Sequence, residues 1–264
     1  MQPTALLNVM IGAARKAGRR LARDFGEVEN LQVSKKGPGD FVTAADHRSE
    51  QIIFDELSAA RPGYGFLMEE RGAVEGTDKS HRWIVDPLDG TTNFLHGLPQ
   101  FAVSIALERD GAIHAGVVYD VAKDEMYWAE RNKGAYVGDR RLRVSARTQF
   151  ESAVIATGFP FLGRPGQARF LKELFEVMPH SAGVRRFGAA SLDLAWVAAG
   201  KFDAFWERNL GPWDVAAGSI LVREAGGFLA DLDGSGDPVF TGNIAAGNEP
   251  ILAQLRDRLK AAQG

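Results

Sequence analysis

The sequence predicts an α+β protein in which helices pack against β-sheets in layers. Segments with apolar residues at helical spacing alternate along the chain with short, β-prone segments. The chain has 264 residues, of which 45% are hydrophobic, so it can bury a substantial core. We expect a single domain over residues 1–264, with a possible subdomain boundary near residues 140–152.

The first half is predicted to contain two helices and an antiparallel-rich sheet. Leu6 to Phe25 carries apolar residues at helical spacing and precedes Gly26, which ends the helix. Pro and Gly predict a turn at Lys35 to Asp40, and a second helix follows from Asp46 to Ala60. The predicted strands are Trp83 to Val85, Phe101 to Leu107, Ile113 to Tyr119 and Asp124 to Trp128.

The second half alternates helices and strands. The helix from Trp213 to Ala225 ends at Gly226 and Gly227. The other predicted elements are a strand at Ala153 to Ala156, helices at Ala168 to Val177 and Ala190 to Ala199, a strand at Phe202 to Trp206, and a last helix at Pro250 to Leu259.

Composition excludes several classes of site. Cysteine is absent, which rules out disulfides, zinc–thiolate sites, iron–sulfur clusters and a cysteine nucleophile. The net charge of -3 provides no general attraction for nucleic acid or a membrane surface. The sequence shows neither a signal peptide nor a membrane-spanning run, so we expect a cytoplasmic protein. Four basic pairs are interpreted as solvated surface: Arg19–Arg20, Lys35–Lys36, Arg140–Arg141 and Arg185–Arg186.

The segment from Asp86 to Asn93, DPLDGTTN, is the clearest chemical feature. We expect Pro87 to end the preceding strand and turn the chain, because proline cannot extend a β-ladder. Asp86 and Asp89 could then point the same way. Two carboxylates about 4 Å apart repel by roughly 1–4 kcal/mol, and a dication between them replaces this repulsion with attraction. Oxygen ligands of this kind suit Mg²⁺, Ca²⁺ or Mn²⁺.

Three further features are ambiguous when each is considered alone. Thr91 begins a predicted helix whose free amides could hold phosphate, but Asp-Pro, Asp-Gly and Thr are also ordinary turn and cap residues. Asp214 opens a helix and could simply stabilise its N-terminus. Glu69–Glu70 could be an acidic surface loop. Residue spacing alone does not show that these segments meet.

Two longer motifs are similar to those of a known family. Asp86 to Phe94 resembles the first signature of the inositol monophosphatase family. Trp213 to Gly218, followed by Glu224 to Gly227, resembles the second, in the right order and at the right separation. The chain is most similar to the bacterial inositol-1-monophosphatases of the extragenic-suppressor type. The resemblance implies a layered α-β-α-β-α sandwich and a homodimer.

The resemblance also implies a site for two or three Mg²⁺ ions. Glu69 would orient the attacking water, and Thr91, supported by Asp46, would polarise it. Lys35 would lie near a flexible metal loop. Met68 stands where the family usually has Gly, which leaves the geometry of the Glu69 loop open. The implied metal ligands are Glu69, Asp86, the backbone carbonyl of Leu88, Asp89 and Asp214.

Substrate contacts follow from the same resemblance. The amides of Gly90 and Thr91 would hold the phosphate, and Glu207 would bond to substrate hydroxyls. A helix start would face the substrate. The implied substrate-binding residues are Glu69, Leu88, Asp89, Gly90, Thr91, Gly188, Ala189, Ala190, Glu207 and Asp214.

The implied activity is Mg²⁺-dependent hydrolysis of a phosphate monoester, most simply myo-inositol 1-phosphate, by metal-activated water, with inhibition by Li⁺. Histidinol phosphate, fructose-1,6-bisphosphate and 3′-phosphoadenosine 5′-phosphate remain alternative substrates, although Glu207 favours a polyol over a nucleotide. An alternative of another class is a protein that binds the transcription machinery, including RNA polymerase. A metal-dependent nuclease is disfavoured by the acidic net charge.

Overall fold

The computed structural model describes residues 2–25, 33–37, 40–161 and 163–262, with the backbone alone for residues 33–37 and 40–42. The elements of the first half are α1 (Ala5–Phe25), β1 (Val33–Gly37), β2 (Asp40–Thr43), α2 (Ala44–Ala60), β3 (Tyr64–Met68), β4 (Gly72–Val74), β5 (Asp78–Asp89), α3 (Thr91–Leu95), β6 (Ala102–Arg109), β7 (Ala112–Asp120), β8 (Glu125–Glu130), β9 (Gly134–Val137) and β10 (Arg140–Arg141). Those of the second half are β11 (Val154–Thr157), α4 (Gln167–Val177), β12 (Gly183–Arg185), α5 (Ala190–Ala198), β13 (Ala204–Glu207), α6 (Pro212–Glu224), β14 (Phe228–Asp231), α7 (Pro238–Thr241), β15 (Ile244–Gly247) and α8 (Glu249–Ala261), with short 3₁₀ turns at Phe150–Ser152 and Met178–His180.

The strands form two large sheets and one hairpin. The eight-stranded sheet has the order β10-β9-β8-β7-β6-β5-β3-β4, and it is antiparallel except where β3 pairs in parallel with β5. The five-stranded sheet has the order β12-β11-β13-β15-β14, with parallel pairing of β11 to both β12 and β13. Strands β1 and β2 pair with each other.

Alternating side chains on β5 show how the layers form. Trp83 and Val85 pack with α1 and α2, whereas Ile84 packs on the opposite face with α5 and α6. The other side of α5 and α6 meets the five-stranded sheet through residues such as Phe205. Trp206 on that sheet's outer face packs with α4 and α8. The predicted five-layer α-β-α-β-α arrangement is therefore confirmed.

Close contact between α6 and the eight-stranded sheet depends on a glycine. A Cβ on Gly116 of β7 would lie 2.6 Å from Cγ2 of Ile220 and 2.8 Å from the carbonyl oxygen of Ala217. Because the second contact is to backbone, a side chain here would push the helix away from the sheet. Helix α6 carries a site residue at its first turn, so this contact also helps to place the site.

The long predicted helices are all present, within a few residues of their expected bounds. The predicted turn at Lys35 to Asp40 lies partly in β1 and β2, and its centre, residues 38–39, falls outside the described residues. The expected boundary near residues 140–152 falls in the connection between the two large sheets. No helix in the described ranges is long and apolar enough to span a bilayer.

Candidate active site

A β-bulge at the end of β5 presents the first two acidic residues. Pairing with β6 shifts between Asp86 and Asp89, so that Pro87 and Leu88 stand opposite the single residue Val103. The prediction that Pro87 ends the strand is wrong: the strand continues to Asp89. A bulge leaves an unpaired residue in the ladder, so the missing N–H of Pro87 is tolerated there. In a regular strand, Asp86 and Asp89 would point to opposite faces of the sheet. The extra residue of the bulge lets both carboxylates point to the same side.

The first turn of α6 supplies the third acidic residue. Pro212 begins the helix, and the carboxylate of Asp214 accepts a hydrogen bond from the Gly211 amide at 2.6 Å. Ser104 Oγ donates to the Trp213 carbonyl at 3.1 Å, which ties the start of this helix to β6. One carboxylate oxygen from each of Asp86, Asp89 and Asp214 lies within 4.8 Å of the others.

The electrostatics of this cluster favour a cation. Burial, followed by the charges of Glu69, Asp89 and Asp214, raises the pKa of Asp86 well above its usual range. Burial and the charges of Asp89 and Glu69 do the same to the pKa of Asp214. The pKa of Asp89 is raised to about 6, again mainly by burial. Because all the donors are hard carboxylate oxygens that repel one another, the cluster fits a divalent cation such as Mg²⁺.

The parallel pairing of β3 with β5 places Glu69 near the cluster, where it lines the cavity together with Asp89 and Asp214. Met68 pairs with Val85, and the Glu69 amide donates to the Val85 carbonyl at 3.2 Å, so Glu69 follows β3 beside the start of the bulge. Met68 is fully buried, and its packing anchors the end of β3. The carboxylate of Glu50 accepts hydrogen bonds from the next two amides, of Glu70 and Arg71, at 3.0 and 3.3 Å.

A hydrogen-bonded pair, Thr91 and Asp46, lies beside the bulge. Thr91 Oγ1 lies 3.1 Å from Oδ1 of Asp46 and 3.0 Å from the carbonyl oxygen of Leu88. The other carboxylate oxygen of Asp46, Oδ2, accepts hydrogen bonds from the amide and the hydroxyl of Thr43 at 2.9 and 2.6 Å. Burial raises the pKa of Asp46. These contacts place a hydroxyl and a carboxyl group together next to the acidic cluster.

Gly90, the residue directly before α3, has a backbone conformation that other residues resist. Its φ is 91°, and a Cβ there would lie 2.8 Å from the carbonyl oxygen of Gln100. A side chain would therefore bring both strain and a clash. Gly90 and Thr91 line the same cavity as Glu69, Asp89 and Asp214, so the free amides at the start of this helix can face a bound anion.

The start of α5 closes the site from the other side. The amide and hydroxyl of Ser191 both donate to Oδ2 of Asp89, at 2.8 and 2.5 Å. Gly188 and Ala190 line the cavity, but Ala189, expected to face the substrate, is fully buried because its methyl group packs in the core. The sequence prediction missed Ser191, since a serine in a helix's first turn normally signals only local capping.

The cavity, of about 170 Å³, has an acidic floor and basic groups at its mouth. Glu207, at the end of β13, lines it together with Arg164 and Arg186. Burial raises the pKa of Glu207 to about 8, and the charge of Arg186 partly offsets this rise. The sequence predicts that the basic pair containing Arg186 is solvated surface; Arg186 is exposed, but it also lines the cavity. The side chain of Lys35 lies outside the described part of the chain.

Comparisons with known proteins agree on one family. The model of the inositol monophosphatase family matches residues 2–262. An inositol-1-monophosphatase of Mesorhizobium japonicum is 62% identical over 260 residues, which cover 98% of each chain. The Nus factor SuhB of Escherichia coli is 42% identical over 261 residues, 97% of this chain and 98% of the relative. The crystal structure of the extragenic suppressor protein suhB from Bartonella henselae superposes with a TM-score of 0.94 at 59% identity, covering 97% of this chain and 99% of the other.

Proposed function

The chain belongs to the inositol monophosphatase family, and from that premise we propose that it hydrolyses phosphate monoesters, with myo-inositol 1-phosphate as its substrate. One observation supports this most: carboxylates from two distant parts of the chain, Asp86 with Asp89 and Asp214, converge within 4.8 Å. They do so next to the helix start at Gly90, which can hold the phosphate.

The proposed ligands of two or three Mg²⁺ ions are Asp86, Asp89, Asp214, Glu69 and the carbonyl of Leu88. When bound, Mg²⁺ offsets the repulsion among these groups, neutralises phosphate oxygens and makes water a better nucleophile. Two properties of the ligands support Mg²⁺. All of them are hard oxygen donors, and the three aspartate carboxyl groups have raised pKa values.

The chain's own groups would position the reactants. Amides of Gly90 and Thr91 bind the phosphate, while Glu69 and the pair Thr91–Asp46 orient the attacking water through hydrogen bonds. The water oxygen forms a bond to phosphorus as the bond to the alcohol oxygen breaks. The water gives up a proton and the leaving alkoxide takes one up, so the products are the alcohol and inorganic phosphate. Glu207 accepts a hydrogen bond from a hydroxyl of the substrate. Preorganised charge of this kind supplies most of the rate gain in comparable sites.

A phosphate-release panel tests the substrate. With Mg²⁺ present, we expect the highest kcat/KM for myo-inositol 1-phosphate, compared with histidinol phosphate, fructose-1,6-bisphosphate and 3′-phosphoadenosine 5′-phosphate. Glu207 favours a polyol because an adenine would instead need an apolar or aromatic surface. Inhibition by Li⁺ is also expected. Absence of phosphate release from all four compounds would refute the proposed activity.

We also propose that the protein is a homodimer. Helix α4 carries large apolar side chains that are 62% and 72% exposed, Leu171 and Phe175, and Met178 follows directly after it. A patch of this kind is typical of an interaction surface. Light scattering should give twice the chain mass, and Phe175→Asp should shift it towards a monomer. A monomeric wild-type protein at micromolar concentration would contradict this proposal.

A second function, in transcription, is favoured by the 42% identity to a relative named as a Nus factor. We propose that the protein can bind RNA polymerase independently of catalysis. Pull-down of the polymerase by both the wild-type protein and Asp89→Asn would support this role. Failure of both proteins to retain polymerase above a bead control would exclude it.

A further inference from the structure

The carboxylate of Glu207 lies directly against Gly158, the residue that follows the neighbouring strand β11. Strands β11 and β13 run in parallel with Thr157 paired to Trp206, which puts the next residues, Gly158 and Glu207, side by side. The hydroxyl of Thr157 donates to the Trp206 carbonyl at 2.8 Å and fixes this register. A Cβ on Gly158 would lie 1.9 Å from Oε1, 2.0 Å from Cδ and 2.1 Å from Oε2 of Glu207.

The space left by the missing side chain is therefore occupied by the carboxylate itself. All three of the nearest atoms belong to the end of one flexible side chain, and the φ of Gly158 lies outside the left-handed region. An alanine at this position is thus compatible with the backbone. The three atoms it would approach most closely all belong to the carboxylate end of Glu207, so that group would have to move.

Packing, rather than hydrogen bonding, holds this carboxylate. Within the described part of the chain, no donor bonds to the carboxylate of Glu207, although it lines the cavity beside Asp89 and Arg186. Its acceptor positions therefore remain available to a ligand.

We propose that Gly158 is a positioning residue for substrate selection: by lacking a side chain, it lets Glu207 place its carboxylate where a substrate hydroxyl can donate to it. This inference rests on the proposed function, since it assumes a hydroxylated phosphate ester in the cavity. The residue acts through Glu207 and touches no reacting atom.

Steady-state kinetics of Gly158→Ala with two substrates test the proposal. For myo-inositol 1-phosphate we expect KM to rise about tenfold, as for loss of one hydrogen bond between substrate and protein, with kcat little changed. For phenyl phosphate, which has no hydroxyl to bind, both constants should stay within twofold. Gly234→Ala is the matched control, because a Cβ at Gly234 meets no atom of the described residues within 4 Å.

A double-mutant cycle separates this effect from general damage. In a Glu207→Ala background, Gly158→Ala should have no further effect on KM. An equal rise in KM with and without Glu207, an unchanged KM in Gly158→Ala, or a misfolded Gly158→Ala that Glu207→Ala does not rescue would each overturn the proposal.

The crystal structure of Gly158→Ala gives a readout that does not depend on substrate. The carboxylate of Glu207 should have moved away from residue 158, and an unmoved carboxylate overturns the proposal. If the carboxylate moves but Glu207→Ala leaves KM for the inositol ester unchanged, Gly158 places the carboxylate, but the proposal that it does so for substrate selection is overturned. In that case the substrate contact assigned to Glu207 under the proposed function fails.

Discussion

Replacing Ser191 with alanine tests how much its hydroxyl stabilises the charged carboxylate of Asp89, one of the proposed metal ligands. Two bonds from Ser191 reach the same oxygen of Asp89, and the substitution removes the hydroxyl bond of 2.5 Å while leaving the amide bond of 2.8 Å. The bonds from Ser191 lower the pKa of Asp89, which burial has raised to about 6, so the variant's pKa must be higher. Near neutral pH, a smaller fraction of Asp89 is then charged and ready to bind Mg²⁺.

The expected magnitude follows from that single bond. A hydrogen bond to a charged group contributes about 1.5–3 kcal/mol. Since 1.4 kcal/mol corresponds to a factor of ten, half-maximal activity of Ser191→Ala should need roughly 10- to 100-fold more Mg²⁺ than wild type. At saturating Mg²⁺ the turnover should largely recover.

The assay is phosphate release as a function of Mg²⁺ concentration at fixed pH and substrate. Ser219→Ala is the matched control, because Ser219 is also buried and, within the described part of the chain, its hydroxyl bonds only to the Ala216 carbonyl of its own helix, at 2.7 Å. A half-saturating Mg²⁺ concentration for a folded Ser191→Ala within twofold of wild type would refute this reasoning.

Three further predictions concern the aspartate cluster, the protonation of Glu207 and the packing of α6. Asp89→Asn and Asp214→Asn should each reduce kcat by at least about 100-fold with an unchanged circular dichroism spectrum, and near-normal turnover of both would contradict the metal role. Without metal, Glu207 has a raised pKa of about 8, so its stabilising effect is complete below pH 4 and is lost as pH rises towards 8. The Tm of Glu207→Gln relative to wild type in EDTA should therefore increase from pH 5 to pH 8, and a constant difference would refute this. Gly116→Ala should lower stability by about 1–3 kcal/mol in a thermal melt, whereas Gly12→Ala, whose new Cβ has no atom of the described ranges within 4 Å, should not; equal melts would disprove the packing argument.

Local features of the sequence predicted much of the fold. The helical spacing in α1 and the alternation along β6 depend on nearest neighbours in the chain, so they can be identified without tertiary information. The strands that the sequence does not predict are short: β3 has five residues, and β4 (Gly72–Val74) and β12 (Gly183–Arg185) have three each. Segments this short carry too little periodicity to be recognised, and they are strands only because partners lie beside them.

The sequence predicts the site residues that lie in one contiguous motif. It does not show contacts that depend on the pairing of distant strands or on helix packing. Asp86 and Asp89 could be singled out from their own segment, although the bulge that turns them together needs the partner strand β6. The proximity of Glu69 follows from the parallel pairing of β3 with β5, and that of Asp214 from the contact of α6 with the sheet. Gly158 has no chemical signal of its own, because its effect lies entirely in the neighbouring Glu207.

Crystals of the full chain grown with Mn²⁺ and inorganic phosphate, measured near the manganese absorption edge, provide the most direct test of the proposed metal centre. We predict anomalous peaks within bonding distance of carboxylate oxygens from Asp86, Asp89 and Asp214, with phosphate density against the amides of Gly90 and Thr91. Anomalous density at other acidic groups, with none among these three aspartates, would contradict the proposal that divalent ions bind there.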